Sequence, residues 1–597
     1  MKVTRETRRP NKSGIGEQMA ALLIGCAIML IGLLVWAALT LGCWWAGLPA
    51  TLNPPAALIR IADGAQSWPW QSTLVLAAIA AAFTGGAIRV WCARGRRGRL
   101  DYAARTMQPV RTLSGATRGD VAEIARRLLV DAPDIAETSP GIALGTPVAG
   151  GSSVYLTWEM PATFVSGTRT GKTMAWAIPA ALSAPGAMLS TSNKPDLYAH
   201  TRYGREQVGR VWLCDLQGVT GARRAEFWWN PLTHIDTLAG ARKLASFFIS
   251  ASREPGDRKD AYFDGAAMDL LSTYILAAAC AEGDLVHAAE WLGRDQDETP
   301  VLILHRAGHH NAARLIIEKQ SLTSRQRDGV FDMARRFLGS LTDETYAQIV
   351  LPPHRRTISV SGDEQSGIDL TSEPGGNTVH DLPEFDPWSF VDSGDSLYAL
   401  SMEGPDSAAP IMTALVGQIV EAALDSARRR ANGRLRVPLV CVLDEAANCC
   451  KLGELPNYFT YAGGHGVILM VWLQVLEQGK QVWGEEGLYK MFAQSVECYG
   501  GGIGDTTYLR RWVELIGNHE VADTQVNTGR GGTGYTRSWR SEPIADIADL
   551  SALEKNRALV RIPGNKPVLV RKIFWGDTEF APLIHRSLKL YGGDHTA

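Results

Sequence analysis

A glycine-rich loop constrains the fold of this chain more than any other sequence feature. Residues 166–173 read Ser-Gly-Thr-Arg-Thr-Gly-Lys-Thr, after the β-prone run Thr163–Val165 and before a helix start at Met174–Ile178. Such a loop surrounds phosphate oxygens with backbone N–H groups and a helix N-terminus. The spacing predicts that Lys172 reaches the β- and γ-phosphates of a nucleotide and that the Thr173 hydroxyl binds Mg²⁺. The predicted nucleotide-binding residues are Ser166, Gly167, Thr168, Arg169, Thr170, Gly171, Lys172 and Thr173.

One position departs from the usual phosphate-loop pattern. Ser166 stands where the first glycine is expected, and a glycine follows one place later, at Gly167. The part with the most demanding chemistry, Gly171-Lys172-Thr173, is intact. Taken alone, the motif leaves a chance loop open as an alternative.

A second motif lies far downstream, where the apolar run Pro438–Leu443 ends in Asp444 and Glu445. A continuous apolar run is typical of a strand buried on both faces of a parallel sheet. Two adjacent carboxylates are costly to bury unless they serve a metal or a reaction. We therefore predict that Asp444 holds Mg²⁺ through its water shell and that Glu445 polarises the attacking water. The alternative is an Asp-Glu pair at a solvated turn or a helix cap.

A third apolar run, Val467–Leu473, ends in Gln474. A glutamine at this place can sense the γ-phosphate or orient water, and an ordinary strand-end amide is an equally open interpretation. From the loop and the two strand ends, the predicted catalytic residues are Lys172, Glu445 and Gln474. The predicted metal ligands are Thr173 and Asp444.

Two charge-free segments near the N-terminus predict a membrane anchor. Gln18–Ile59 and Gly64–Ile88 contain no charged residue, and their apolar parts reach the ~20 residues that a helix needs to cross hydrocarbon. Basic residues precede the first segment and follow the second, which favours cytoplasmic N- and C-termini. A cleaved signal peptide is the alternative, but the first apolar run exceeds the ~7–15 residues of a signal core and a second span follows.

Composition adds limited constraints. Charged residues are 20% of the chain and the net charge is −2, which argues against a uniformly basic protein but leaves a local basic channel open. The nine cysteines are scattered and form no disulfide or zinc pattern, which favours reduced thiols in a cytosolic domain.

Strands that alternate with helical stretches predict an α/β fold with a parallel sheet. Helical periodicity dominates residues 235–346, residues 354–380 are polar and predict a mobile loop, and residues 558–573 predict a hairpin. The predicted organisation is a cytoplasmic N-terminus (1–18), a two-helix membrane anchor (19–92), a linker (93–139), a nucleotide-binding domain in two parts (140–234 and 347–597) and an all-α insertion between them (235–346).

The order of these elements, with Ser-Asn-Lys-Pro-Asp at 192–196, Trp-Asn-Pro-Leu at 229–232 and Leu-Asp-Glu-Ala-Ala-Asn at 443–448, resembles the type IV coupling proteins of the VirD4/TraG/TraD group. The resemblance covers nearly the whole chain. It implies a RecA-like P-loop NTPase with an inserted all-α domain and two N-terminal transmembrane helices. It assigns nucleotide and metal binding to Lys172 and Thr173, the catalytic carboxylates to Asp444 and Glu445, and the strand-end glutamine to Gln474.

The same resemblance implies an ATPase that uses ATP and Mg²⁺ at the bacterial inner membrane. It implies a homo-oligomeric ring, often a hexamer, which delivers single-stranded DNA bound to a relaxase, or a protein substrate, to the type IV secretion channel. The alternatives are an FtsK-like double-stranded DNA pump, and a receptor for protein substrates that uses ATP only for assembly. FtsK-like pumps lack a long helical insertion between the two nucleotide motifs.

A ring motor also needs a cation that reaches into the neighbouring subunit's site. The sequence does not choose among five arginine candidates, Arg510, Arg511, Arg537, Arg540 and Arg557. DNA binding would depend on phosphate contacts from lysine and arginine. Five basic residues could line a pore and make such contacts, or could equally lie on exposed helix faces: Arg253, Arg258, Lys259, Arg335 and Arg336.

Overall fold

The computed structural model describes residues 4–7, 15–49, 53–93, 99–221, 223–252, 261–363, 367–404, 407–529 and 532–592. The chain divides into two units, residues 103–516 with 545–597, and residues 1–102 with 517–544.

The strands of the described residues are, in chain order, β1 (Thr4–Thr7), β2 (Ile142–Pro147), β3 (Val154–Leu156), β4 (Ala162–Val165), β5 (Met188–Ser192), β6 (Val211–Asp215), β7 (Arg224–Ala225), β8 (His354–Asp363), β9 (Gly367–Thr378), β10 (Ser396–Leu400), β11 (Leu439–Leu443), β12 (Val467–Leu473), β13 (Val496–Tyr499), β14 (Asn518–Gly529), β15 (Gly532–Pro543), β16 (Arg557–Arg561) and β17 (Val568–Arg571).

The helices are α1 (Ile15–Trp45), α2 (Pro54–Ala62), α3 (Trp70–Ala93), α4 (Arg99–Ala103), α5 (Arg118–Leu128), α6 (Pro133–Thr138), α7 (Ile178–Ser183), α8 (Asp196–Glu206), α9 (Leu238–Ser252), α10 (Ala261–Cys280), α11 (Leu285–Leu292), α12 (Thr299–Arg306), α13 (His310–Gln320), α14 (Ser324–Phe337), α15 (Glu344–Ala347), α16 (Pro387–Val391), α17 (Ala409–Arg428), α18 (Ala446–Cys449), α19 (Leu455–Tyr461), α20 (Leu476–Gln494), α21 (Thr506–Ile516), α22 (Ile547–Ser551) and α23 (Ala581–Tyr591).

A twelve-stranded sheet organises the larger unit, in the order β3-β2-β17-β16-β13-β4-β12-β11-β5-β10-β6-β7. The seven strands from β13 to β6 run parallel to one another, and the strands outside them are antiparallel. This confirms the predicted α/β class, and the antiparallel pair of β16 and β17 confirms the predicted C-terminal hairpin.

The parallel strands are the continuous apolar runs of the sequence. All residues of β4, β5, β11 and β12 are buried, as expected when helices cover both faces of a sheet. Phe164 on β4 stacks on Trp472 of the adjacent β12, with ring centroids 4.4 Å apart. Because parallel strands end at one edge of the sheet, residues after β4, β11, β12 and β5 come close together although they are distant in sequence.

A helical segment from α9 to α15 separates β7 from β8. Its central helix, α10, contacts α9 and α11 to α14, and buries Leu271, Tyr274 and Ile275 completely. The predicted helical character of residues 235–346 is therefore confirmed, whereas the domain boundaries themselves stay predictions.

The loop predicted at residues 354–380 is wrong, because β8 and β9 form an antiparallel hairpin there. Exposed and half-buried positions alternate along most of both strands, and Ile358, Val360, Ile368 and Leu370 form a half-buried apolar face. The Gly, Ser, Asp and Glu residues around these four positions obscure the alternation in the sequence. Side-chain contacts of Arg355 and His287 attach it to α11 and to the residue before that helix. Arg355 bonds Asp284 (2.9 Å) and Glu290 (2.7 Å), and the Arg356 carbonyl lies 3.0 Å from His287 Nε2.

The smaller unit contains the N-terminal helices and a three-stranded sheet in the order β1-β14-β15. α1 has 31 residues and α3 has 24, and the two helices lie side by side. A Cβ at Gly42 would lie 2.1 Å from Ser72 Oγ, so only glycine permits this close approach. Large apolar side chains face outward, among them Met29 (66% exposed) and Phe83 (58%).

Among the described residues, one helical stretch is long and apolar enough to cross a membrane, Phe263–Cys280 in α10. However, 61% of that stretch is buried inside the protein. The described apolar stretches of α1 and α3, Met29–Trp45 and Trp70–Gly86, are shorter than the 18 residues that a candidate span needs. The two-pass anchor therefore stays a prediction.

Candidate nucleotide site

The glycine-rich loop leaves the end of β4 and enters a π-helical turn, Thr173–Ala177, which continues as α7. Two residues of the loop have left-handed backbone angles, Arg169 with φ 59° and Gly171 with φ 81°. A Cβ at Gly171 would lie 2.7 Å from Phe574 Cε1. Glycine is thus required at position 171 both by its backbone angle and by the ring behind it.

The serine at the unusual position is accommodated by the loop itself. Ser166 is fully buried, and its Oγ lies 2.6 Å from Thr170 Oγ1. The Thr170 hydroxyl donates to the Gly167 carbonyl at 2.7 Å, which leaves Ser166 to donate to Thr170. The departure from the usual pattern therefore adds a hydrogen bond within the loop.

The two sequence motifs meet in the structure, across 273 positions of the chain. Lys172 Nζ lies 2.6 Å from Glu445 Oε1 and 3.1 Å from Asp444 Oδ1. The Thr173 hydroxyl donates to Asp444 Oδ2 at 3.3 Å. Lys172, Asp444 and Glu445 are all buried. These three residues and Thr173 form one charged cluster at the ends of β4 and β11.

Glu445 adopts a strained backbone, with φ 54° and ψ 40°, at the start of α18. A non-glycine residue in this region costs free energy and occurs most often at functional sites. Burial raises the pKa of the Glu445 carboxyl, and the adjacent Lys172 ammonium opposes that rise. A carboxylate with a raised pKa is a better proton acceptor from water than an ordinary glutamate.

One oxygen in the cluster lacks a hydrogen bond. Asp444 Oδ1 is buried and accepts none from the described residues, although it forms an ion pair with Lys172. Carboxylate and hydroxyl oxygens are the protein ligands that Mg²⁺ prefers, usually with retained waters. The pair of Asp444 and Thr173 therefore fits a magnesium ion.

A cleft of about 490 Å³ reaches this cluster at Lys172 and Thr173. Its lining residues are Thr168, Arg169, Gly171, Lys172, Thr173, Met174, Lys194, Asp196 and Gln474. Gln474, the residue after β12, therefore lies in the cleft beside the phosphate loop. The structure adds Lys194 and Asp196, which the sequence placed in the Ser-Asn-Lys-Pro-Asp motif without a role at the nucleotide site. Both residues follow β5, which pairs with the strand that precedes Asp444, and this position in the sequence could have indicated that they lie near the site.

The arginine candidates have different surroundings. Arg511 is held inside its own subunit, by bonds of 2.6 and 2.8 Å to the buried Glu497 carboxylate. Arg557 is buried, and Arg510 and Arg540 are exposed. The side chain of Arg537 lies outside the described residues, as do Arg253, Arg258 and Lys259. Arg335 and Arg336 are exposed on α14, and Arg335 pairs with Asp332.

Two family models match the chain. The model described as the type IV secretory system conjugative DNA transfer family matches residues 142–308, which include the glycine-rich loop. The model described as the TraM recognition site of TraD and TraG matches residues 438–555, which include Asp444, Glu445 and Gln474. The chain is a type IV coupling protein. Its role therefore lies in conjugative DNA transfer.

Solved structures similar to this coupling protein include the unbound monoclinic form of the bacterial conjugative coupling protein TrwBdeltaN70. It is 16% identical, with a TM-score of 0.48, over 79% of this chain and 93% of that one. The plasmid coupling protein TrwB with the ATP analogue ADPNP is 16% identical, with a TM-score of 0.46, over 77% and 92%. TrwB with ADP and Mg²⁺ is 15% identical, with a TM-score of 0.42, over 69% and 85%. A sequence search of the curated proteins found no match.

Proposed function

We propose that this coupling protein is a membrane-anchored ATPase that recruits a relaxase-bound single-stranded DNA, or a protein substrate, and drives it into a conjugative type IV secretion channel. One observation carries the proposal. The phosphate-loop lysine, Lys172, contacts both carboxylates of the Asp444-Glu445 pair. A charged cluster at the carboxyl ends of parallel strands is the usual setting for nucleotide chemistry.

Each residue of the site has a role in this proposal. Lys172 and the loop N–H groups bind the triphosphate oxygens, and Thr173 with Asp444 holds the metal. A Mg²⁺ ion held by Thr173 and Asp444 would supply positive charge against the charge that develops on the phosphates. Glu445 accepts a proton from the attacking water, and Gln474, at the rim of the same cleft, orients that water. ATP and Mg²⁺ are the cofactors in this proposal, and the Asp444 and Thr173 oxygens suit Mg²⁺.

The helical segment supports a coupling protein over an FtsK-like pump. Helices α9 to α15 lie in the chain between the glycine-rich loop and the Asp-Glu strand, where FtsK-like pumps have no long insertion. The conjugative DNA-transfer model extends into this segment, as far as residue 308. We assign the recognition of the relaxase-bound substrate to these helices.

The membrane anchor rests on α1 and α3. Both helices are long and apolar, and they present large apolar side chains to their surroundings. Exposed apolar surface of this kind is stable in hydrocarbon and unfavourable in water. The basic residues on either side of the two helices favour cytoplasmic N- and C-termini. In a hexameric ring, the exposed Arg510 and Arg540 are the candidates for contact with a neighbouring nucleotide site.

A mating assay tests the proposal. A strain with Lys172→Ala is expected to lose plasmid transfer by at least about a hundredfold, because the loop loses the lysine that reaches the β- and γ-phosphates and the buried carboxylates lose their counter-charge. The matched control is Lys589→Ala, which removes an exposed lysine on α23. Transfer at the wild-type level by Lys172→Ala, with normal protein abundance, would refute the motor.

Stimulation of ATP turnover distinguishes the alternatives. Single-stranded DNA should stimulate turnover by the full chain, and the effect should weaken as salt rises, because phosphate contacts dominate DNA affinity. Stimulation by double-stranded DNA alone would support an FtsK-like pump. Stimulation by a relaxase-like protein and by neither form of DNA would support the receptor for protein substrates.

A further inference from the structure

A lysine is buried directly behind the phosphate loop. Lys572 follows β17, and its side chain is almost inaccessible, at 2% exposure. Its backbone N–H donates to the Asn556 carbonyl at 3.0 Å, which fixes it beside the start of β16. The residue lies outside both family matches, which end at residues 308 and 555.

The Lys572 ammonium joins three parts of the nucleotide domain. It donates to the Thr170 carbonyl in the phosphate loop at 3.0 Å, and to the Gly500 carbonyl after β13 at 2.8 Å. It also lies 5.1 Å from the ring centroid of Trp176, in the helical turn that follows the loop. A Cβ at Gly500 would lie 2.4 Å from Ser166 Oγ and 3.1 Å from this ammonium, so glycine keeps the space open.

The bond to Thr170 orients the loop. In a trans peptide the C=O and the N–H point in opposite directions. A Thr170 carbonyl directed back to Lys572 therefore directs the Gly171 N–H away from Lys572. Gly171 lines the cleft, so this N–H is presented on the cleft side of the loop, where phosphate oxygens would accept from it.

The charge on Lys572 is costly in this environment. Burial, and to a smaller extent the nearby Lys555 ammonium, lower the pKa of Lys572 to about 8, and Cys498 acts in the opposite direction. A buried cation whose hydrogen bonds go to carbonyls is unfavourable unless a negative charge arrives nearby. A triphosphate bound in the cleft, on the opposite side of the Thr170–Gly171 peptide from Lys572, would supply this negative charge.

We infer that Lys572 is a positioning residue for nucleotide binding, which holds the Thr170 peptide and places a second positive charge behind the phosphate loop. The inference rests on the proposed ATP site and extends it to a residue from the C-terminal hairpin. A phosphate in the cleft favours the protonated amine, so the affinity for nucleotide falls as pH rises through the range in which free Lys572 loses its proton.

The test measures equilibrium binding of a fluorescent ATP analogue with Mg²⁺ to the full chain, from pH 7 to pH 9.5. Wild-type affinity is expected to fall through about pH 8. Lys572→Met is expected to bind about tenfold more weakly at pH 7 and to lose this dependence on pH. A merely structural lysine would change the affinity of the variant but would leave the pH profile of the wild type flat over this interval.

A second variant keeps the inference testable if Lys572→Met does not fold. Lys555 is exposed, and its charge lowers the pKa of Lys572. Lys555→Met should therefore move the midpoint of the pH profile upward. An unmoved midpoint, or wild-type affinity in a folded Lys572→Met, would overturn the inference and leave the ATP site standing. Failure of the wild type to bind nucleotide at any pH would overturn the proposed function as well.

Discussion

A Glu445→Gln variant is expected to lose ATP turnover by at least about a hundredfold while it still binds nucleotide. Glutamine has nearly the same shape and keeps an oxygen for the Lys172 ammonium, now 2.6 Å from Glu445 Oε1. It cannot accept the proton of the attacking water. Phosphate release under saturating ATP, compared with equilibrium binding of an ATP analogue, separates the two effects.

The matched control is Glu485→Gln, which changes the same group at an exposed position in α20. That variant should hydrolyse ATP at the wild-type rate. Normal turnover by Glu445→Gln would mean that this carboxylate is not the base. Loss of binding together with turnover would instead show that Glu445 maintains the position of the loop.

An Arg205→Met variant is expected to destabilise the larger unit by about 4 kcal/mol. Arg205 lies on α8 and is completely buried. Its guanidinium donates to the carbonyls of Ala184 and Gly186, each at 2.6 Å, and of Gly394 at 3.2 Å. Methionine fills similar space but leaves these carbonyls without a donor, at a cost of about 1–3 kcal/mol for each group that stays dry.

The melting temperature measures this effect. A loss of that size should lower the Tm of the full chain by on the order of 5 °C or more. Arg126→Met is the control, because Arg126 is exposed on α5 and its replacement should leave the Tm within about 1 °C. Equal melting temperatures for Arg205→Met and the wild type would show that water or a rearranged loop satisfies the carbonyls.

Much of the site was predictable because its parts are local. The loop at Lys172 and the strand before Asp444 each carry their chemistry in a few adjacent residues, and each lies at the carboxyl end of an apolar run. Strands of a parallel sheet end at the same edge. The approach of Lys172 to Glu445, 273 positions apart, could therefore be predicted without knowing which strands are neighbours. The distances at Asp444 and Glu445 came only from the structure.

The two hairpins that were missed have short apolar alternations among many polar residues. In the β8–β9 hairpin, predicted as a loop, one half-buried face carries only four large apolar residues, Ile358, Val360, Ile368 and Leu370, within a segment rich in Gly, Ser, Asp and Glu. The β14–β15 hairpin, with polar stretches such as Asn518–Glu520, was not predicted either. Period-two hydrophobicity identifies a strand only when one face is buried.

Single residues behind the site were hidden for another reason. Lys572 reaches Thr170 across 402 positions, and nothing in the surrounding sequence marks it as different from a surface lysine. Ser166 was recognised as a departure, but its partner Thr170 could be identified only from the loop geometry. Side-chain contacts between distant segments depend on packing, which sequence patterns do not encode.

The dependence of ATP affinity on Mg²⁺ tests most directly whether the loop and the carboxylates form one site. In the wild type, Mg²⁺ should strengthen ATP binding by about tenfold or more, because Asp444 and Thr173 hold the ion that the triphosphate shares. In Asp444→Asn this enhancement should nearly disappear. The same enhancement by Mg²⁺ in both proteins would contradict the account, because Asp444 would then take no part in holding the metal.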